Sequence, residues 1–187
     1  MTSDSRLRMT RSAARLIGAC GMNGTSFSDV IADSRAPRGS IYHHFPQGKE
    51  QLAAEAIGWM SEQISAYQEA APTDSPEQVL AHFVEFWRRS ATDSQGSNGC
   101  PVTGVAVDTS AGAPIMTSVR QAFDSWARLL QGQLETAGLP RARARPIALT
   151  TLACMEGALI LCKAEGSSAP MKIAAAELLR VTRGNLS

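Results

Sequence analysis

The chain is poor in the features that would commit it to a membrane, to secretion or to catalysis. No apolar run of about 18 residues, the length that spans a bilayer, is found. No signal peptide is read either, because Arg6, Arg8, Arg11 and Arg15 interrupt the N-terminal stretch. Membrane insertion and secretion are disfavoured, and the cytoplasm is the expected location. Cysteine is sparse: the four at positions 20, 100, 154 and 162 show neither Cys-x-x-Cys spacing nor a dense framework, which suits reduced thiols. Cys100, expected in a loop, leaves redox sensing open.

Catalytic and cofactor signatures are missing too. Gly96-Ser97-Asn98-Gly99-Cys100-Pro101-Val102-Thr103-Gly104 is glycine-rich, but it lacks the Lys-Ser/Thr pair that a phosphate loop uses for terminal phosphates and magnesium. His43 and His44 have no carboxylate or third ligand at metal spacing, and neighbours on a helix point about 100° apart. His82 stands alone on an expected helix and reads as a surface or packing residue. There is no Gly-x-Ser-x-Gly elbow. No catalytic residue, metal or cofactor is expected, and enzymatic activity has no positive support.

What is present is helix. The 187 residues, 44% hydrophobic, can bury a substantial core, and no strand pattern persists. Arg6 to Cys20 forms a first helix, with Leu7, Ala14, Leu16 and Ile17 available for packing. Thr25 or Ser26 is a suitable N-cap for a second, whose apolar face is Phe27, Val30 and Ile31 and which ends near Ser34. Pro37 suits the first turn of a new helix and disfavours helical geometry at Ala36. Ile41, Phe45 and Leu52 then form an inward stripe. Arg38, Ser40, Tyr42, His43, His44 and Lys49 can donate hydrogen bonds to phosphates or base edges, and Gly39 allows close backbone approach. Two helices of roughly eight residues joined by a tight turn have the size and order of a helix-turn-helix.

The run Thr25-Ser26-Phe27 through Ile31-Ala32, followed by Gly39-Ser40-Ile41-Tyr42-His43-His44-Phe45 and Lys49-Glu50-Gln51-Leu52, resembles the N-terminal domain of the TetR family of transcriptional regulators. The likeness covers roughly the first 60 residues. Phe45-Pro46-Gln47-Gly48-Lys49 is one residue longer than the commonest family pattern, and with Gly99-Cys100-Pro101 it resembles the LmrA/YxaF-like branch. The resemblance implies an all-α homodimer in which a small ligand in the C-terminal domain releases the protein from its operator. Arg35 stands where the family usually carries Gly. If the turn is unchanged, Arg there is strained by roughly 1 kcal/mol. Either the turn is remodelled, or the cation gains a nearby phosphate; plain drift in a tolerant turn is the bland account.

Charge supports the same reading independently. Residues 1–49 hold seven Lys or Arg against three acids, leaving eleven basic and fourteen acidic residues beyond them. A near-neutral average hides a basic end, as expected of a module that neutralises phosphates.

Beyond Leu52, helices are expected over Lys49 to Ala70, from a Ser75 cap and Pro76 to about Ala91, Val102 to Val107, Pro114 to Ala137, Arg141 to Ala164 and Pro170 to Arg183. Leu149 to Cys162 is apolar nearly all round, which implies burial on more than one side. With Ile173, Ala176 and Leu179 of the last helix it suits a four-helix dimer interface. Glu156 in that run needs an Arg, a hydroxyl or a ligand. Phe83, Phe86, Trp87, Met116, Phe123, Trp126 and Met155 read first as core, while the resemblance implies that their helices, with Glu156, enclose a pocket for a planar or lipophilic effector.

The organisation expected is a helix-turn-helix domain over residues 1–60, with the motif at about 27–46, and an effector-binding and dimerisation domain over 61–187. Within the first, Arg38 is assigned to base readout and Tyr42 to a base edge or thymine methyl. Thr25, Ser26, Arg35, Ser40, His43, His44 and Lys49 are assigned chiefly to phosphates. The function expected is a repressor released from double-stranded DNA by a small effector. Its rival is a helical carrier or enzyme with a vestigial DNA-binding domain.

Overall fold

The computed structural model describes residues 2–183. Those residues form helices α1 Thr2–Cys20, α2 Phe27–Ser34, α3 Ser40–His44, α4 Lys49–Glu69, α5 Pro76–Asp93, α6 Pro101–Asp108, α7 Met116–Thr136, α8 Arg141–Glu165 and α9 Ala169–Arg183, with no strand among them. The chain divides into two compact units, Met1–Glu62 with Gly99–Phe123, and Gln63–Asn98 with Asp124–Ser187. The first unit's edge falls near the boundary read at residue 60, but it also takes in α6 and the opening of α7.

In the first unit, α1 packs against α2, α3 and α6. Its buried residues are Met9, Ala13, Ala14 and Ile17, joined by Val30, Ile41, Phe45 and Leu52. Leu7, expected in this core, is instead 40% exposed. A step of one or two positions along a helix turns a side chain by 100° or 200°, and Met9 takes the inward place. Ser26 caps α2 in a reciprocal capping box: its hydroxyl accepts from the Asp29 backbone N–H, and its own N–H donates to the Asp29 carboxylate at 2.8 Å. Against α6, α1 presents no side chain at the closest points. A Cβ added at Gly18 would lie 2.3 Å from the Gly99 carbonyl oxygen, and one at Gly104 would lie 2.4 Å from that of Ile17. Nearby, the Asn23 backbone N–H donates to Asp108 at 2.8 Å.

In the second unit, α5, α8 and α9 pack on one another. Ser75 caps α5, accepting from the Gln78 N–H, with Pro76 in the first turn. The core holds Phe83, Trp87, Trp126, Leu130, Leu152, Met155 and Leu159. Trp87 is its hub, edge-on to Trp126 at 6.1 Å and to Phe86 at 5.5 Å. His82 stacks on Tyr67 at 4.2 Å and bonds its carbonyl, a packing role.

One expectation needs correction here. Cys100 is 3% exposed at the N-cap of α6 rather than open in a loop, which removes the access that redox sensing needs. Helix α8 is long and apolar enough to cross a membrane, with mean hydropathy 1.6 over its best window, although no unbroken apolar run marks it. Half of that window is buried inside the unit, as in the core helix of a globular domain.

Candidate nucleic-acid interface

The helix-turn-helix is built around a left-handed residue. Arg35 ends α2 at φ 52° and ψ 34°, and its N–H returns to the Ile31 carbonyl. The turn is therefore not remodelled: Arg adopts the conformation a glycine would take freely. Pro37 then accepts from the backbone N–H of Ser40 at 2.9 Å and from its hydroxyl at 2.7 Å. Pro37 and Gly39 thus form a turn leading into α3 instead of its first helical turn. This shortens the second helix to five residues, against the roughly eight read from sequence. Its far end stops at Phe45, where Pro46 disfavours further helix.

Ile41 is fully buried and Phe45 nearly so, which turns the other face of α3 to solvent. Tyr42 is 67% exposed, its ring edge-on to Phe27 at 5.5 Å. Arg35, Arg38, Gly39 and His43 are exposed, and Ser40, His44 and Lys49 half-buried. Thr25 departs from this set. It is 3% exposed and its hydroxyl donates to the Gly21 carbonyl at 2.9 Å, so in this conformation it ties down the α1–α2 connection. Ser26 is exposed, but its hydroxyl is engaged with Asp29 at 2.6 Å. That bond, followed by the Ser26 N–H and then the nearby Lys49 cation, holds the Asp29 carboxyl below its ordinary pKa.

The basic residues of this end sort by partner. Arg6 makes a two-pronged bond to Glu55 and lies over the Phe45 ring. Arg8 pairs with Asp4, Arg15 with Asp33, and Arg11 sits over Trp59 at 5.9 Å. Among the described residues, Arg35, Arg38 and Lys49 have no ion-pair partner. All three flank α3 beside the exposed Tyr42; elsewhere in the unit Arg11 and Arg120 also lack an ion pair, Arg11 lying over Trp59 and Arg120 donating to the Thr117 hydroxyl. Gln51 was missed in the sequence. Its amide accepts from Gln47 N–H at 3.0 Å and donates to Glu55 at 3.1 Å, which fixes the entry to α4 after the longer α3–α4 connection. A glutamine in the opening turn of the helix that follows a Pro-x-Gly step was the available signal.

Comparison with known proteins places most of the chain in one family. Residues 10–56 match the profile of the bacterial regulatory proteins of the tetR family, and residues 76–177 match that of the LmrA/YxaF-like C-terminal domain of transcriptional regulators. The chain belongs to the TetR family, in its LmrA/YxaF-like branch. The HTH-type transcriptional regulator LmrA of Bacillus subtilis strain 168 is 33% identical to it, over 90% of this chain and 91% of its own. An HTH-type transcriptional regulator of Mycobacterium tuberculosis strain H37Rv is 32% identical, over 90% and 89%. The crystal structure of a TetR transcriptional regulator from Chloroflexus aurantiacus superposes with a TM-score of 0.78 at 27% identity, covering 96% of this chain and 94% of that one. TetR-family regulators bind DNA operators and typically act as homodimers, and as transcriptional regulators they are in general not enzymes.

The residues read as an effector site divide between the units. Met116 and Phe123 lie in the first; Phe83, Phe86, Trp87, Trp126, Met155 and Glu156 lie in the second. Within the second, Trp87 and Met155 are wholly buried, Trp126 and Phe83 nearly so, and Glu156 is 9% exposed. The Trp87 indole N–H and the Thr151 hydroxyl are buried with no hydrogen-bond partner.

Proposed function

We propose that this TetR-family protein is a ligand-responsive repressor, in which residues 1–60 bind a palindromic operator and residues 61–187 bind an effector and form the dimer. The supporting observation is the group of cations without an ion-pair partner, Arg35, Arg38 and Lys49, beside exposed Tyr42 on the outward side of α3. Arg38 reads a base, bidentate to guanine, and Tyr42 meets a base edge or thymine methyl. Arg35, Ser40, His43, His44 and Lys49 grip phosphates, while Thr25 and Ser26 hold the motif in shape. Two copies of α3 about 34 Å apart enter successive major grooves.

Dimerisation uses the apolar face that one chain leaves open. Leu149, Ile160 and Leu161 of α8 and Ile173 of α9 are 47%, 54%, 55% and 70% exposed, a row that pairing with a second copy would cover. The effector is lipophilic or aromatic and occupies the aromatic interior of the second unit. A buried indole N–H and a buried hydroxyl without partners are costly, and acceptors and donors on the ligand would recover that cost. An effector that prefers a different separation of the two α3 helices pulls the dimer off DNA by its differential affinity. Such a regulator works in the cytoplasm.

The test is binding to the DNA upstream of the protein's own coding region, at two salt concentrations and against random competitor. The reading expects specific binding that falls steeply with salt. Arg38→Ala costs about 1–3 kcal/mol at the operator and flattens sequence preference, whereas Lys49→Ala weakens all DNA alike. Unchanged operator affinity in Arg38→Ala defeats the assignment of that residue. If no genomic fragment is preferred over random DNA and salt has no effect, the carrier reading replaces this one.

A further inference from the structure

Inside the second unit, α7 and α8 run back from the Gly138-Leu139-Pro140 turn, and two cavities of about 750 and 320 Å³ open along them. Arg128, Gln131 and Arg145 line both, so the two spaces adjoin; Arg141 lines the larger. Ala142 and Pro146 add apolar wall to the larger one, Ala127 and Leu149 to the smaller.

The charges in this groove are unusually arranged. Two acids are present, and both have other partners: Asp124 faces Arg128 at 3.7 Å, and Glu135 accepts from the Gln131 amide at 2.7 Å. Among the described residues of this unit, Arg88, Arg89, Arg128 and Arg180 are paired, whereas Arg141, Arg143 and Arg145 have neither an ion pair nor a side-chain hydrogen bond; of these three, Arg141 and Arg145 line the groove. Arg141 and Arg145 are also four residues apart on one helix, the spacing at which like charges repel. They stand in the opening turns of α8, where a cation is further disfavoured. No acid in the first turn offsets this. The protein thus keeps two neighbouring guanidinium groups at an electrostatic cost, facing a space large enough for a small molecule.

We propose that this groove is a second ligand site, distinct from the aromatic interior, for a small molecule carrying a phosphate or carboxylate and a short apolar body. Arg141 and Arg145 clamp the anion, with the fork geometry that suits planar or tetrahedral oxyanions. Gln131 and Glu135 meet a donor or acceptor on the ligand, and Ala127, Ala142 and Pro146 cover its apolar part.

The experiment uses the full-length protein with phenyl phosphate and benzoate as probes and phenol as the uncharged control, read by calorimetry and by thermal melting. Vesicles of phosphatidylcholine with and without phosphatidylserine test whether the anion is a lipid headgroup instead. The expected result is binding of one or both anions at one site per chain and none of phenol, with affinity reduced at least tenfold in Arg141→Ala/Arg145→Ala. Because these side chains have no partners, the double variant melts no lower than the parent. Arg38→Ala/Lys49→Ala retains the binding. Capture by anionic vesicles with no response to the soluble anions overturns the small-molecule assignment. So does binding that the Arg141/Arg145 variant leaves intact, binding lost in the Arg38/Lys49 variant, absence of any anion binding, or a lower melting temperature in the groove variant.

Discussion

Arg35 is the residue at which fold and function pull apart. Its φ of 52° belongs to the left-handed region, where a side chain costs roughly 1 kcal/mol relative to glycine. Its cation is exposed and unpaired next to α3. Arg35→Gly should therefore raise the melting temperature by about 1–3 °C, the gain being trimmed by the larger entropy of the unfolded glycine chain. The same variant should lose affinity for operator and random DNA alike, by the share of one phosphate contact. Thermal melts and DNA titrations on one preparation check both arms; a variant that gains stability and binds DNA unchanged makes Arg35 mere drift.

At the scale of the helix, α5 shows how charge reports on folding. Glu85 accepts from Arg88 and Arg89 one turn on, and these bonds, Arg88 foremost, hold its carboxyl at about 2 instead of 4.5. Because the folded value lies below the ordinary one, the contribution is complete above pH 4.5 and is lost as pH falls towards 2. The melting temperature of Glu85→Gln should fall less between pH 5 and pH 3 than that of the parent, as followed by circular dichroism. The helices themselves were largely legible: Ser75, and either Thr25 or Ser26, are read as caps, and Ser75 and Ser26 function as caps, because capping depends on neighbours in sequence. What sequence does not carry is decided by partners far along the chain. Thr25 looks like a phosphate ligand until Gly21 takes its hydroxyl, and Cys100 looks open until α6 begins beneath it. The shortness of α3 comes from Pro37 and Ser40 closing a turn that the helical pattern alone counts as helix.

For the whole molecule, the decisive surface is the apolar row on α8 and α9. If it joins two copies, Ile160→Glu/Leu161→Glu should give a monomer by sedimentation. Operator affinity should then fall by about 10²–10⁴, the factor gained when one half-site tethers the other; helical content should stay the same, since both side chains are more than half exposed. The place where α1 meets α6 has a different consequence. Gly18, Gly99 and Gly104 set main chain against main chain, with no room for even a methyl group. Contacts between side chains can repack and absorb a displacement, but this joint has no rotamers to spend. Any shift at the start of α6 would meet α1 with no side chain between to absorb it, and mutation cannot soften the joint by degrees, because a side chain at any of these three positions clashes with the facing main chain. If the repressor reading holds, selection on such a chain can retune what is sensed through residues elsewhere, while the rigid joint that would carry a movement to the DNA-binding helices is inherited unchanged.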